Sequence, residues 1–441
     1  MGGGDPPSEP QRKTVRKEAS IKCRRTEGGF PPLRIFRYSG EVYYLSDKRV
    51  ETNVLDYLRW RGDLTLERDP FNEVDALLMC IVSYIDFARL EELRSKNPAC
   101  ALPLGAVCAR LAGEDGQRGL SDRPHIPVLE AMAASARFRE ARIFGWESLH
   151  DEEKEMQFDA VSFLLPDETV FIAYMGTDRS LVGWKEDFNM SYLPSVPAQQ
   201  RATAYAAEIA AACGGRPLRL GGHSKGGNLT VWAASHLPEA VQARILSAWN
   251  NDGPGFSEDL FASEGYGRVA DRVRTFVPES SVIGILMEHT DDYEVIASTN
   301  RSVMQHEPLS WCVEGCRFVR LPRRSALGRL SDEALRDWFR GMTPEERAAF
   351  SEALFDVVSH GGKVHSLDEL PSGALAGWAQ LIRDVAEADG ESRAVLLGRF
   401  AQLGREIREG LLQSAEAGLE AARRGLRALL PERKAPPEDR D

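Results

Sequence analysis

The chain has 441 residues, 43% of them apolar and 28% charged, which is ordinary for a soluble globular protein and long enough to bury a large core in two or three domains. Its formal charge of −12 argues against nucleic acid as a main partner, because phosphate binding needs a positive surface. The seven cysteines (Cys23, Cys80, Cys100, Cys108, Cys213, Cys312 and Cys316) are scattered, as reduced thiols are; the closest pair, Cys312 and Cys316, lacks the second pair or nearby histidine of a zinc set, so no metal or organic cofactor is expected.

Residues 1–50 read as a largely disordered tail. They hold 11 Lys/Arg against 6 Asp/Glu, are rich in Gly and Pro at the start, and show no apolar core of a secretory signal in the first twenty positions. The sharper alternative for this basic tail is an electrostatic contact with an acidic partner or, peripherally, with a membrane. No apolar run is long enough to span a bilayer, and a cytoplasmic location is the default expectation.

From Val54 the pattern changes. Asp56–Trp60 predicts a short helix, and Leu77, Leu78, Ile81, Val82 and Ile85 recur at helical spacing behind Asn72-Glu73, a helix-start signal. Ala160–Leu165 and Thr169–Tyr174, separated by Pro166-Asp167-Glu168, predict a hairpin. A helix follows over Pro197–Cys213 with Pro at its first position, then a strand at Leu218–Leu220 and a helix over Asn228–His236. Strands at Ile245–Trp249, Val273–Val277 and Tyr293–Ser298 complete the set. Short apolar strands alternating with helices imply an α/β fold, a mostly parallel sheet covered on both faces. After Pro322 strand signals fade. Leu396, Phe400, Leu403, Ile407 and Leu411 follow helical spacing, so residues 323–441 are expected to form a helical extension closed by a polar tail, and residues 51–322 the α/β domain. A helical stripe of that kind is a packing face or, alternatively, a dimerisation surface.

The strongest chemical signal is Gly222-His223-Ser224-Lys225-Gly226, with Gly227 and Asn228 next. An apolar strand enters it and a helix leaves it. The turn between must be tight enough to lift Ser224 above the sheet edge, and glycines at 222, 226 and 227 let strand and helix approach. This setting predicts Ser224 as a nucleophile. A serine hydroxyl needs a base, which in such folds comes later in the chain. His306, in Gln305-His306-Glu307-Pro308 after the last strand, is the expected base; His289 fits a lid or pocket better, and His360 and His365 fall in the helical region. The expected acid is Asp252, at the end of the Ile245–Trp249 strand in Asn250-Asn251-Asp252-Gly253-Pro254-Gly255-Phe256, with Glu279 after the next strand as the alternative. The oxyanion donors expected are the Lys225 N–H and the loop after Tyr174, where Gly176 permits close approach and Thr177 offers an N–H and a hydroxyl.

Gly176-Thr177, then Trp184-Lys185-Glu186-Asp187, then Gly222-His223-Ser224-Lys225-Gly226-Gly227 resembles class 3 (fungal-type) lipases. A closer resemblance is to a bacterial family of lipase-like α/β-hydrolases, Mbeg-like, through Asp56-Tyr57-Leu58-Arg59-Trp60-Arg61-Gly62-Asp63, Pro70-Phe71-Asn72-Glu73-Val74-Asp75, Asn251-Asp252-Gly253-Pro254-Gly255-Phe256 and Gln305-His306. It covers about residues 53–313. One departure is Thr275-Phe276-Val277-Pro278, where the lipases carry an Asp before the Pro. The resemblance implies an α/β-hydrolase acting on a small-molecule or lipid ester. Val282–Met287 would line an acyl pocket or form a lid. A catalytically silent fold used as a binding module is the alternative.

Overall fold

A computed structural model describes residues 34–38, 41–45, 51–112, 125–281, 292–322, 324, 337–338, 341–360, 363–366, 385, 390, 392–402 and 405. The chain divides into two units, Met1–Val50 and Glu51–Asp441. In the first, strands β1 (Arg34–Tyr38) and β2 (Glu41–Leu45) pair antiparallel with Phe36 opposite Tyr43. The basic composition of the tail did not announce this hairpin; its first 33 residues lie outside the described ones.

The second unit begins with helices α1 (Val54–Arg61) and α2 (Glu73–Val82). Each starts where an Asn and an Asp three residues later can cap one another. At α2, Asn72 Oδ1 accepts from the N–H groups of Val74 and Asp75, while Asp75 Oδ2 accepts from the Asn72 N–H at 3.0 Å. Every residue of α2 from Val74 to Val82 is buried, so this helix runs through the core. Next come β3 (Leu102–Pro103), α3 (Leu104–Leu111), α4 (Ile126–Ala134), β4 (Arg142–Asp151), β5 (Met156–Leu164), β6 (Val170–Tyr174), α5 (Leu181–Asn189), α6 (Pro197–Ala212), β7 (Leu218–His223), α7 (Lys225–His236), β8 (Ile245–Asn251), β9 (Val273–Pro278) and β10 (Tyr293–Ile296).

Strands β3 to β10 form one eight-stranded sheet in chain order. Neighbours from β3 to β6 pair antiparallel, and those from β6 to β10 pair parallel. The two-residue period of a strand sorts its side chains onto two faces. Val161, Phe163, Phe171 and Ala173 join α2 and α4 in one apolar cluster; Phe158, Ala160, Val170, Ile172, Leu218 and Leu220 join α6 and α7 in the other. A small hairpin, β11 (Val313–Glu314) with β12 (Arg317–Phe318), closes the α2 side through Trp311 and Phe318.

The hairpin, the helix opening at Pro197 and the strands from Leu218 onward lie where the spacing predicts them. Sequence reading missed α5 and the long strand β4. In the helical region after 322, the helix Pro344–Val358 is described; its Phe350 packs with Trp338, Leu396 and Phe188 of α5. Leu403, Ile407 and Leu411 fall outside the described residues. Among the described residues no helix is long and apolar enough to cross a membrane.

Candidate active site

The loops at the carboxyl ends of the parallel strands β6 to β10 bring Gly176, Ser224, Asp252, Ser281 and His306 to one edge of the sheet, the edge at which open α/β sheets carry ligands. Ser224 is the junction between β7 and α7. Its backbone sits at φ 58°, ψ −135°, a left-handed conformation that costs a non-glycine residue on the order of 1–3 kcal/mol. The turn stays this tight because Gly222 and Gly226 lie back to back: a Cβ on Gly222 would meet the Gly226 carbonyl oxygen at 2.0 Å. Helix α7 begins directly after the serine, three residues earlier than the spacing predicts, so its first N–H groups surround Ser224.

Asp252 follows β8 in the same way. It is fully buried with φ 56°, and its N–H donates to the Phe276 carbonyl at 2.8 Å. The Asn residues around it build the turn: Asn250 Oδ1 accepts from Gly253 N–H, and Asn228 Nδ2 reaches the Gly255 carbonyl. Asp252 Oδ2 accepts from His306 Nδ1 at 2.6 Å and from Ser281 Oγ at 2.7 Å. The carboxylate that meets the His306 ring is therefore Asp252, one strand earlier than the alternative Glu279. His306 ends the short 3₁₀ segment Ser302–His306, and its side chain is 24% exposed. The segment is pinned by its neighbour Gln305, whose carbonyl accepts from Trp311 Nε1 and whose Oε1 accepts from the Ser280 N–H. His289 and Val282–Met287 lie outside the described residues. His365 Nδ1 meets Glu152 Oε1 at 3.0 Å in the C-terminal region.

On the other side of the serine, Gly176 has no room for a side chain: an added Cβ would lie 2.2 Å from Tyr84 Oη, 2.7 Å from the His223 carbonyl and 2.8 Å from Ser224 Cβ. The Thr177 hydroxyl donates to Asp187 Oδ2, so it is not free to serve an oxyanion, and the backbone N–H is what this residue has to offer there. Burial raises the Asp187 carboxyl to about 6, against the opposing pull of the Lys225 ammonium and the Thr177 hydroxyl. Lys225 itself is fully buried. Its Nζ donates to the Gln157 carbonyl at 2.8 Å and to Glu186 Oε2 at 3.1 Å, and Glu186 also accepts from the N–H groups of Gln157 and Ala198. One buried ion pair thus ties the first turn of α7 to α5, β5 and the start of α6. The parts played here by the Lys225 side chain, Glu186, Ser281 and Tyr84 carry no local signal in the sequence. Among the described residues no His/Cys/Asp/Glu cluster could hold a metal ion.

A family profile described as Mbeg1-like matches residues 132–356, just over half of the chain. The chain belongs to the Mbeg1-like family. The Mbeg1-like match takes in Gly176, Ser224, Asp252 and His306, and it leaves out α2 and Tyr84. No curated protein matches the chain. Among solved structures, the native propeptide complex of Rhizomucor miehei lipase is similar at 16% identity, over 42% of this chain and 73% of that one, with a TM-score of 0.29, a likeness too loose to fix a fold.

Proposed function

We propose that this Mbeg1-like protein is a serine hydrolase of the α/β-hydrolase fold that cleaves a carboxylic ester through an acyl-enzyme. Two observations carry the reading: Ser224 is held left-handed between a strand and a helix N-terminus, and His306, on a loop at the same sheet edge, has its Nδ1–H fixed on the buried carboxylate of Asp252. A carboxylate on Nδ1 leaves Nε2 as the proton acceptor and stabilises the imidazolium that forms. In the proposed reaction His306 Nε2 takes the Ser224 hydroxyl proton as Oγ attacks the substrate carbonyl. The N–H groups of Lys225 and Thr177, at the loop that Gly176 opens, hold the resulting oxyanion. His306 then returns the proton to the leaving alcohol. A water molecule, deprotonated by the same ring, attacks the acyl carbonyl; the bond to Ser224 Oγ breaks, the ring returns its proton to that oxygen, and the acid leaves.

Apolar side chains favour an ester with an acyl chain. Met304, two residues before His306, is 61% exposed, and Trp184 on α5 is 36% exposed. A cytoplasmic location, peripheral contact of the basic tail with anionic membranes, and a boundary near residue 322 between hydrolase domain and helical extension belong to the same reading.

Labelling with a fluorophosphonate probe tests it. The intact protein is expected to label, and Ser224→Ala to abolish labelling while keeping the fold by circular dichroism. Absence of labelling in the intact protein, or labelling that survives Ser224→Ala, favours the silent binding module instead.

A further inference from the structure

His223 is the residue before the proposed nucleophile, at the end of β7. It is 4% exposed, and both of its ring nitrogens are engaged. Nε2 lies 2.7 Å from the carbonyl oxygen of His306 and Nδ1 lies 2.8 Å from Tyr84 Oη. A carbonyl only accepts, so Nε2 carries the hydrogen; Nδ1 is then the acceptor for the Tyr84 hydroxyl. Burial, chiefly, together with the nearby His306 ring, holds this imidazole far below the ordinary histidine range, which favours its neutral form. The rings of His223 and His306 also lie against each other, tilted, with centroids 4.5 Å apart and planes 34° apart. The same Tyr84 hydroxyl fills the space beside Gly176. A single run of contacts therefore joins the Gly176 loop, the residue preceding Ser224 and the backbone of His306.

We infer that His223, oriented by Tyr84, is a positioning residue for the base of the proposed hydrolase. The inference rests on the serine-hydrolase reading. His306 stands at the end of a short 3₁₀ segment, where a carbonyl has no partner within the helix. Asp252 fixes the ring only about its Nδ1 side, and Gln305 fixes the neighbouring residue. The bond from His223 is the one that takes up the carbonyl of His306, and it comes from the residue adjacent to Ser224. One buried imidazole thus links the end of the strand that carries Ser224 to the backbone of His306. His223 is not itself the base: its N–H is committed to a carbonyl, its remaining lone pair is occupied, and its neutrality is enforced. Losing such a support lets the base drift, and a displacement on the order of 1 Å at a reacting pair costs roughly a hundredfold in rate.

Two amides separate positioning from packing. A glutamine places its N–H where His223 Nε2 stands; an asparagine reproduces only the Nδ1 position. Hydrolysis of a short-chain p-nitrophenyl ester and the rate of fluorophosphonate labelling are measured for His223→Gln, His223→Asn and Tyr84→Phe, with melting temperature as the check on folding. His223→Asn is expected to lower kcat roughly a hundredfold with KM within about twofold, while His223→Gln, melting at a similar temperature, keeps kcat within about tenfold of the parent. Tyr84→Phe, which removes the hydroxyl donor to His223 Nδ1 and leaves the ring in place, is expected to lower the labelling rate about tenfold with KM unchanged. Equal losses in the Asn and Gln variants, losses that track melting temperature, or a Tyr84→Phe protein that labels at the parent rate overturn the inference. If the parent protein does not label at Ser224, the hydrolase reading has failed, and this inference with it. If the parent labels and the variants match it, the inference alone has failed.

Discussion

Gly176 and Asp187 show how closely the site depends on single side chains. A methyl group at 176 would enter the space of Tyr84 Oη and Ser224 Cβ, and two of its three contacts are backbone or directly attached to it. Gly176→Ala is therefore expected to lower ester hydrolysis at least tenfold and to cost about 1–3 kcal/mol in a urea melt, the range for overpacking a tight site. Asp252→Asn keeps the geometry but turns an amide N–H or a weaker acceptor toward His306 Nδ1; kcat is expected to fall on the order of 10⁴-fold with little change in melting temperature. Asp187 titrates in the opposite sense to a salt-bridged carboxylate. Its folded value, about 6, lies above the unfolded carboxylate range, so between pH 4 and 6 the folded protein keeps a proton that the unfolded chain has lost. Its contribution to stability is greatest below pH 4 and declines as pH rises toward 6, by on the order of 3 kcal/mol. Asp187→Asn, which still accepts from Thr177, is expected to gain in urea midpoint over the parent between pH 4 and pH 7; a constant difference would exclude the shift. At this scale the turn at Ser224 was legible because a tight strand-to-helix turn demands glycines at fixed offsets. Tyr84 and Ser281 were not, since an isolated Tyr or Ser carries no local sign of what it meets 139 or 29 residues away.

Helix α5 is an element that sequence patterning does not reveal and that the site cannot do without. Lys185-Glu186-Asp187 reads as a charged surface run, yet Glu186 is fully buried because Lys225, 39 residues on, is buried against it. Partnership between distant charges overrides local polarity, and only the folded sheet brings the two together. Breaking the pair on one side strands a buried charge. Lys225→Met is expected to destabilise by about 3–5 kcal/mol in a urea melt, and the Glu186→Gln/Lys225→Met double variant to recover most of that, because replacing both members of a buried pair is far cheaper than removing one. Failure of the double variant to recover would mean that the hydrogen bonds from Gln157 and Ala198, and not the charge, set the cost. Strands β6 to β8 were legible for the converse reason: they are short, apolar and flanked by Gly and Pro, and a buried parallel strand needs nothing else.

For the whole molecule, the described residues from Glu51 onward fall in one unit, although composition changes sharply near residue 322. The junction is apolar. Phe350 is 2% exposed and stacks edge-on to Trp338 and Phe400, and Phe188 of α5 meets both Phe350 and Phe355. Phe350→Ala is expected to cost about 3–5 kcal/mol. A chain ended at residue 322 is expected to lower the melting temperature of what remains, since it uncovers the helix that holds Glu186 and Asp187; calorimetry of the full chain showing a separate transition for the extension would argue the reverse. The left-handed backbone at Ser224 reaches furthest. It is shared with Asp252, and these are two of the five non-glycine residues with positive φ among the described residues. Glycine tolerates that conformation without penalty, so Ser224→Gly would relax a strain that Ser224→Ala retains. Any lineage of this fold without the proposed chemistry has a stabilising substitution waiting at the proposed nucleophile itself, and a serine that persists there does so against the preference of the backbone.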